Sequence, residues 1–239
     1  MKPILSFAIP AHNEEAFIAR CIESIALSAR LADAKVEIVV ALNRCTDRTQ
    51  EIAESLGARC VVNNTKCIAA VRNAAVHATV APAVATIDAD SWVSPGSVAE
   101  LVKRVNDTRY VGGGTFMRPE RMSIGIFFST LVLLRYIVKH QVPSAGMFWF
   151  SREAFDTVGG FDESLVSGED VNFAFRLRAL GKTRGQRYGT LWRNGITTSC
   201  RKFDKFGDWH LFREPGLLKE LLGGKNPEAA ERYYYEADR

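Results

Sequence analysis

The first ninety residues alternate between short apolar runs and amphipathic runs of helical period, and few folds accommodate that alternation. Ile4 to Ile9 reads as a buried strand, and Glu14 to Ala32 as a helix with Phe17, Ile18, Cys21, Ile22 and Ile25 at helical spacing. Val36 to Leu42 is a second strand, after which Thr46 or Asp47 can cap a helix that runs to Leu56 and stops at Gly57. Arg59 to Val62 gives a third strand, Ile68 to Ala78 a helix, and Val84 to Ile87 a fourth strand. Strands separated by helices form a mostly parallel sheet with helices on both faces, which predicts the α/β class. Beyond residue 90 the regularity fails. Gly112 to Gly114 marks a turn or a close backbone approach, and short strands around Phe116 and from Met147 to Phe150 read as additions to the same sheet.

The 239 residues suffice for one sizeable core, and with no repeat, low-complexity stretch or linker the chain reads as a single domain over 1–239. A formal net charge of +4 without a clustered basic stripe gives no reason to expect nucleic-acid binding. The five cysteines form no C-x-x-C pair, which fits reduced thiols in a cytoplasmic protein better than disulfides or zinc. The start Met-Lys-Pro enters a strand at once, without a signal-peptide pattern. The most apolar stretch, Ile124 to Val138, is interrupted by Ser129, Thr130 and Arg135 and is too short to span a membrane. It reads as a core helix, with peripheral contact at the inner face of a membrane as the second reading, since Arg135, Lys139 and His140 follow the apolar residues.

The polar residues gather at strand ends. In open α/β sheets ligands bind at the carboxyl ends of the strands, and there the chain places Pro10-Ala11-His12-Asn13-Glu14-Glu15, Asn43 to Thr49, and Asp88-Ala89-Asp90. Two carboxylates one residue apart can share a hard divalent cation and hold it against phosphates. Asp is also common in turns and caps, so the pair alone leaves both readings open. Asn13 with Glu14 and Glu15 suits a helix start equally well, as do Glu169 and Asp170 before Val171 to Leu177.

Taken together, Pro10 to Glu15, Asn43 to Thr49, Arg72-Asn73-Ala74-Ala75, Asp88 to Asp90 and Glu169-Asp170 resemble, in order, the motifs of family 2 glycosyltransferases with the GT-A fold, across roughly Leu5 to Leu180. The resemblance implies a Rossmann-like, mostly parallel sheet with a nucleotide-binding half (1–90), a mixed acceptor and catalytic half (91–200) and a C-terminal loop and tail (201–239). It implies transfer of one sugar from a nucleotide-diphosphate donor, a UDP- or GDP-sugar, to a hydroxyl of a glycan, lipid or small molecule, with inversion and with Mg²⁺ or Mn²⁺. By position, Pro10, Ala11, His12 and Glu14 would contact the nucleoside, Asn43 the base edge, and Arg72 the base or diphosphate. Asp88 would hold the ribose or metal side and Asp90 the metal. Asp170 would be the general base, kept ionised by its helix terminus, with Glu169 orienting the acceptor. Gly146, in Ser144-Ala145-Gly146-Met147, would let the backbone approach the sugar. Arg201, beside Lys202, would close on the diphosphate, and His210 would complete the metal shell or lie on an ordinary surface beside Trp209.

The chain departs from the family pattern in having Leu42-Asn43 where many relatives pair aspartates, in Ala75 for a glycine, and in lacking a Gln-x-x-Arg-Trp motif after Glu169-Asp170. The last difference favours single transfer over processive synthesis. Two other classes compete: a metal-dependent phosphohydrolase, which would carry its nucleophilic Asp after the first strand, and a non-catalytic nucleotide-sugar-binding protein. The tail from Glu228 to Arg239, with Tyr233 to Tyr235, carries no functional reading.

Overall fold

The computed structural model describes residues 2–140, 144 and 146–213. Ala145 and the tail from Glu228 onward lie outside them. Eight strands form one sheet: β1 (Leu5–Ala11), β2 (Val36–Leu42), β3 (Arg59–Val62), β4 (Ala83–Thr86), β5 (Ser91–Val93), β6 (Tyr110–Pro119), β7 (Phe148–Ser151) and β8 (Arg187–Thr198), in the order β3-β2-β1-β4-β7-β6-β8-β5. The β3-β2-β1-β4 half is parallel throughout, as the alternating pattern requires. In the other half β7 is antiparallel to both β4 and β6, β8 is parallel to β6, and β5 is antiparallel to β8.

Apolar residues cover both faces of the sheet. On one side, Leu5, Phe7 and Ile9 pack with Ile18, Ile22 and Ile25 of α1 (Ile18–Leu31), Ala53 of α2 (Thr49–Ser55) and Leu101 of α4 (Ser97–Val105). On the other, Ala8, Val84, Phe148 and Phe150 pack with α3 (Ile68–Ala78), with Phe155 of α6 (Arg152–Val158) and with Phe173 and Leu177 of α7 (Glu169–Thr183). Strand residues alternate between the faces, so both clusters draw on the same strands. Two short helices, α8 (Arg201–Phe206) and α9 (His210–Arg213), follow β8.

Three sequence expectations need correction. β1 runs through Pro10 to Ala11 rather than stopping at Ile9. Ala8 O accepts the N–H of Ile87 and Ala11 O accepts that of Asn43, so alternation turns the Pro10 nitrogen toward the β4 side, where pairing has already ended. A missing N–H is harmless there. The first helix begins at Ile18, not Glu14, because Asn13 takes a left-handed φ of 53° and Glu14 O closes a turn on Phe17 and Ile18. The apolar stretch forms α5 (Ile124–His140), but it is not a core helix. Of its described side chains Ile126 and Ser129 are buried, while Phe127, Leu131 and Leu134 are exposed. The Gly112–Gly114 run lies inside β6 as a close approach: a Cβ on Gly113 would collide with the Gly189 carbonyl and the Trp149 ring. Among the described residues no helix is long and apolar enough to cross a membrane. All five cysteines are free.

Candidate active site

The loops after β1 and β2 are tied together by bonds between side chains and backbone. Asn13 Oδ1 accepts the N–H of Thr46 at 2.8 Å, Thr49 Oγ1 accepts that of Glu14 at 2.8 Å, Asp47 Oδ2 accepts that of Glu15 at 2.9 Å, and Glu15 Oε2 accepts that of Arg48 at 3.1 Å. His12 Nδ1 meets the Asn43 carbonyl oxygen at 2.5 Å. These bonds hold Pro10, Ala11 and His12 at the carboxyl edge of the sheet. Asn43 itself is buried, and its amide donates to the carbonyls of Asn63 and Thr65 at 2.7 and 2.9 Å while its Oδ1 accepts Arg44 Nε at 3.3 Å. Both amide hydrogens of Asn43 are thus spent on the loop after β3, which leaves Oδ1 as its side-chain atom with acceptor capacity toward a base edge.

The Asp-x-Asp pair follows β4, and a different arginine holds each carboxylate. Arg72, buried on α3, places Nη2 2.7 Å from Asp88 Oδ1 and Nε 3.1 Å from Glu169 Oε1. Its Nη1 is buried with no hydrogen-bond partner among the described residues. Arg201, at the start of α8, donates both terminal nitrogens to Glu14 at 2.8 and 2.9 Å and sets Nε 3.2 Å from Asp90 Oδ2. Asp90 Oδ2 also accepts Ser199 Oγ at 3.1 Å. The fork of an arginine suits such paired carboxylates. Beneath them, burial first and then the charges of Asp90, Asp88 and Glu14 push the Cys21 thiol well above its ordinary range.

Asn73, next to Arg72, grips the segment that leads to Glu169 and Asp170. It donates to Phe161 O at 2.9 Å and Glu163 Oε1 at 2.8 Å, and accepts the Phe161 N–H at 2.8 Å. Gly160, at φ 66°, passes so close that a Cβ there would strike Asn73 Oδ1. The Arg72-Asn73 pair thus orders both ends of the site from one helix turn.

Glu169 and Asp170 open α7 after Gly168, whose φ is 68°. The sequence expectation that the helix terminus would lower the Asp170 pKa is reversed. Burial raises it, aided by the Asp88 charge and opposed by Arg72 and by the backbone N–H groups of Val171 and Gly146. Glu169 is raised to about 7, chiefly by burial, with Arg72 opposing. Desolvation in this closed corner exceeds the helix dipole, which is worth roughly 0.3–1 kcal/mol at most termini. Gly146, at φ 89°, presents its N–H to Asp170. Nearby, Ser144 is hydrogen-bonded to the Tyr188 hydroxyl, and the Asp170 charge reaches Tyr188.

His210 is buried in α9, with Nδ1 2.9 Å from Gly207 O and its ring against Phe203 and Phe206. Among the described residues no three His, Cys, Asp or Glu side chains are gathered as a metal site, so Asp88, Asp90 and His210 are not assembled as one ligand set. Sequence reasoning missed Tyr188 as a neighbour of the site, since its place depends on the course of β8, whereas Ser199 belongs to the Thr197 to Lys202 segment that resembles a Thr-Ser-x-Arg motif of the family.

Residues 6–159 match the family model described as glycosyl transferase family 2. The glycosyltransferase AglE of Haloferax volcanii is 24% identical over 196 residues, covering 75% of this chain, which spans 62% of AglE. Among solved structures, S. aureus TarS 1-349 in complex with UDP-GlcNAc superposes with a TM-score of 0.64 at 17% identity, over 99% of this chain and 71% of TarS 1-349. The mannosyltransferase PcManGT of Pyrobaculum calidifontis, in complex with GDP-Man and Mn²⁺, gives 0.60 at 18% identity, over 100% of this chain and 71% of that one. At such identities the likeness is one of fold, the GT-A arrangement expected from the motifs.

Proposed function

The chain belongs to glycosyl transferase family 2, and from that premise we propose that it transfers a single sugar, with inversion, from a UDP- or GDP-sugar in the cytoplasm to an acceptor hydroxyl. One observation carries the reading: the Asp-x-Asp carboxylates are clasped by Arg72 and Arg201 beside Asp170, and Arg72 keeps a buried nitrogen unspent. A buried donor without a partner costs about 1–3 kcal/mol unless a ligand uses it. A diphosphate oxygen is the ligand that a guanidinium prefers. The complexes of TarS with UDP-GlcNAc and of PcManGT with GDP-Man and Mn²⁺ support the same donor class.

The donor set also suits a divalent ion. Asp90, with Asp88 alongside, offers the hard oxygens that Mg²⁺ or Mn²⁺ takes, the diphosphate would supply the rest, and His210 would complete the shell from α9. The ion would offset charge on the departing diphosphate. Arg201, the present counter-charge of Glu14 and Asp90, can exchange one carboxylate for a diphosphate oxygen. Pro10, Ala11 and His12 would line the nucleoside. Asp170 accepts the acceptor's proton as its oxygen bonds to the anomeric carbon, while the bond from that carbon to the diphosphate breaks and its electrons leave with the phosphate oxygen. A raised pKa makes Asp170 a stronger base than an ordinary carboxylate. Glu169, bridged through Arg72 to Asp88, couples the acceptor side to the donor side. We include in this reading the expected division of one domain into donor residues 1–90 and acceptor residues 91–200. Radiolabelled donor with crude acceptor extracts tests it: Asp170→Asn should retain donor binding and lose transfer.

A further inference from the structure

We propose that α5 is a docking helix that lies flat on an anionic lipid surface. Its polarity is inverted relative to an ordinary surface helix. The inward face carries Gly125, Ile126 and Ser129, whereas Ile124, Phe127, Phe128, Leu131, Leu134 and Val138 point outward and are between 40% and 72% exposed. At 100° per residue these six fall within one stripe about a third of the circumference wide, with Arg135 inside it and Lys139 just beyond its edge. Exposed apolar residues scattered singly need no explanation, but a contiguous stripe of this size marks an interaction surface.

Charge selects the occupant. From Arg121 to Arg152 the sequence contains no Asp or Glu, while Arg135 and Lys139 both stand on the outward face among the apolar side chains. A stripe of Phe and Leu with cations and without anions matches the boundary between acyl chains and anionic headgroups. The helix has 17 residues and Arg135 within its length, so it can lie on a bilayer but not cross it.

The mount is rigid. Ser129 Oγ donates to Asp208 O at 3.0 Å, Phe128 stacks on Trp209, and Arg121 bridges Asp204 and Asp208 just before α5 begins. Through α8 that mount continues to Arg201, which pairs with Glu14 and Asp90. Side-chain contacts thus link the base of α5 to the arginine that pairs with Asp90.

Cosedimentation of the full chain with phosphatidylcholine vesicles, with and without phosphatidylglycerol, tests this. Binding should require phosphatidylglycerol and weaken in about 1 M salt, where the Debye length falls to about 3 Å. Leu131→Glu with Leu134→Glu should lower partitioning by about tenfold or more, with circular dichroism and the melting temperature unchanged because both side chains are exposed. Arg135→Glu with Lys139→Glu should remove the preference for phosphatidylglycerol. Three results would overturn the proposal: no vesicle binding by a protein that light scattering shows to be a dimer through α5, no binding by a monomer whose own residues 214–239 cover the helix, or binding that the Leu131/Leu134 variant leaves intact. None of these readouts depends on sugar transfer, so the proposal can fail while the transferase reading stands.

Discussion

Asp170 accepts the N–H groups of Val171 and Gly146, faces the charge of Asp88, and sits where burial disfavours its ionised form. Its protonation should therefore control the reaction. The transfer rate, as kcat/KM, should rise with pH through an apparent pKa above the ordinary carboxylate range and then level off; a rate already flat from about pH 4 upward would remove Asp170 as the base. Asp170→Asn should lower kcat by about two orders of magnitude or more while leaving the affinity for the nucleoside diphosphate within a few-fold. Glu169 adds a stability effect of definite sign. Burial raises its pKa to about 7, above the ordinary value of 4.5 it has in the unfolded chain, so the folded protein holds a proton that the unfolded chain releases. Stability is lost as pH rises through that window, and denaturant melts from about pH 5 to about pH 8 should show wild type losing stability relative to Glu169→Gln. A parallel pH dependence of the two proteins would contradict the buried, raised carboxylate. At this scale the sequence made the candidate residues legible by type and order, because the apolar strand runs stop where polar residues gather. It could not show what each group spends its bonds on. Asn43 and Asp170 illustrate the gap: one is tied up by two carbonyls from a different loop, and the other has its pKa set by burial rather than by its helix.

Among elements, the first half was readable because each strand and helix carries its own period, and strands separated by helices pair in parallel, as β3-β2-β1-β4 do. The second half was not. β8 runs for 12 residues with Gly189, Arg193, Asn194 and Gly195 inside it, and its place between β6 and β5 is set by long-range pairing that no local period records. α5 failed for a different reason: its composition is that of a core helix, and only the fold reveals that its outer side chains stay exposed, Phe128 included although it meets Trp209. Two element junctions invite mutation. Asn73→Ala would strip both bonds from the Phe161 backbone, and chemical denaturation should show a loss of about 1–3 kcal/mol; a loss under about 0.5 kcal/mol would mean that the clamp matters little. Gly113→Ala would drive a methyl into the Gly189 carbonyl, which is backbone and cannot swing aside, so a loss of at least about 1–3 kcal/mol is expected.

For the whole molecule, one eight-stranded sheet brings groups more than 180 residues apart into contact, as the Glu14–Arg201 pair shows. The donor edge, the Asp-x-Asp pair and the α7 carboxylates are joined through two arginines, so ligand binding at one should be felt at the others. Thermal unfolding with UDP or GDP, each with and without Mn²⁺, tests that most directly. One diphosphate should stabilise the chain only when the metal is present, by about 2.7 kcal/mol at a hundred times its dissociation constant, or roughly 5–10 °C for a domain of this size. Asp90→Asn should abolish the shift. No shift with either nucleotide, or an equal shift without metal and in Asp90→Asn, would contradict a metal-dependent nucleotide-sugar site at the carboxyl edge of this sheet.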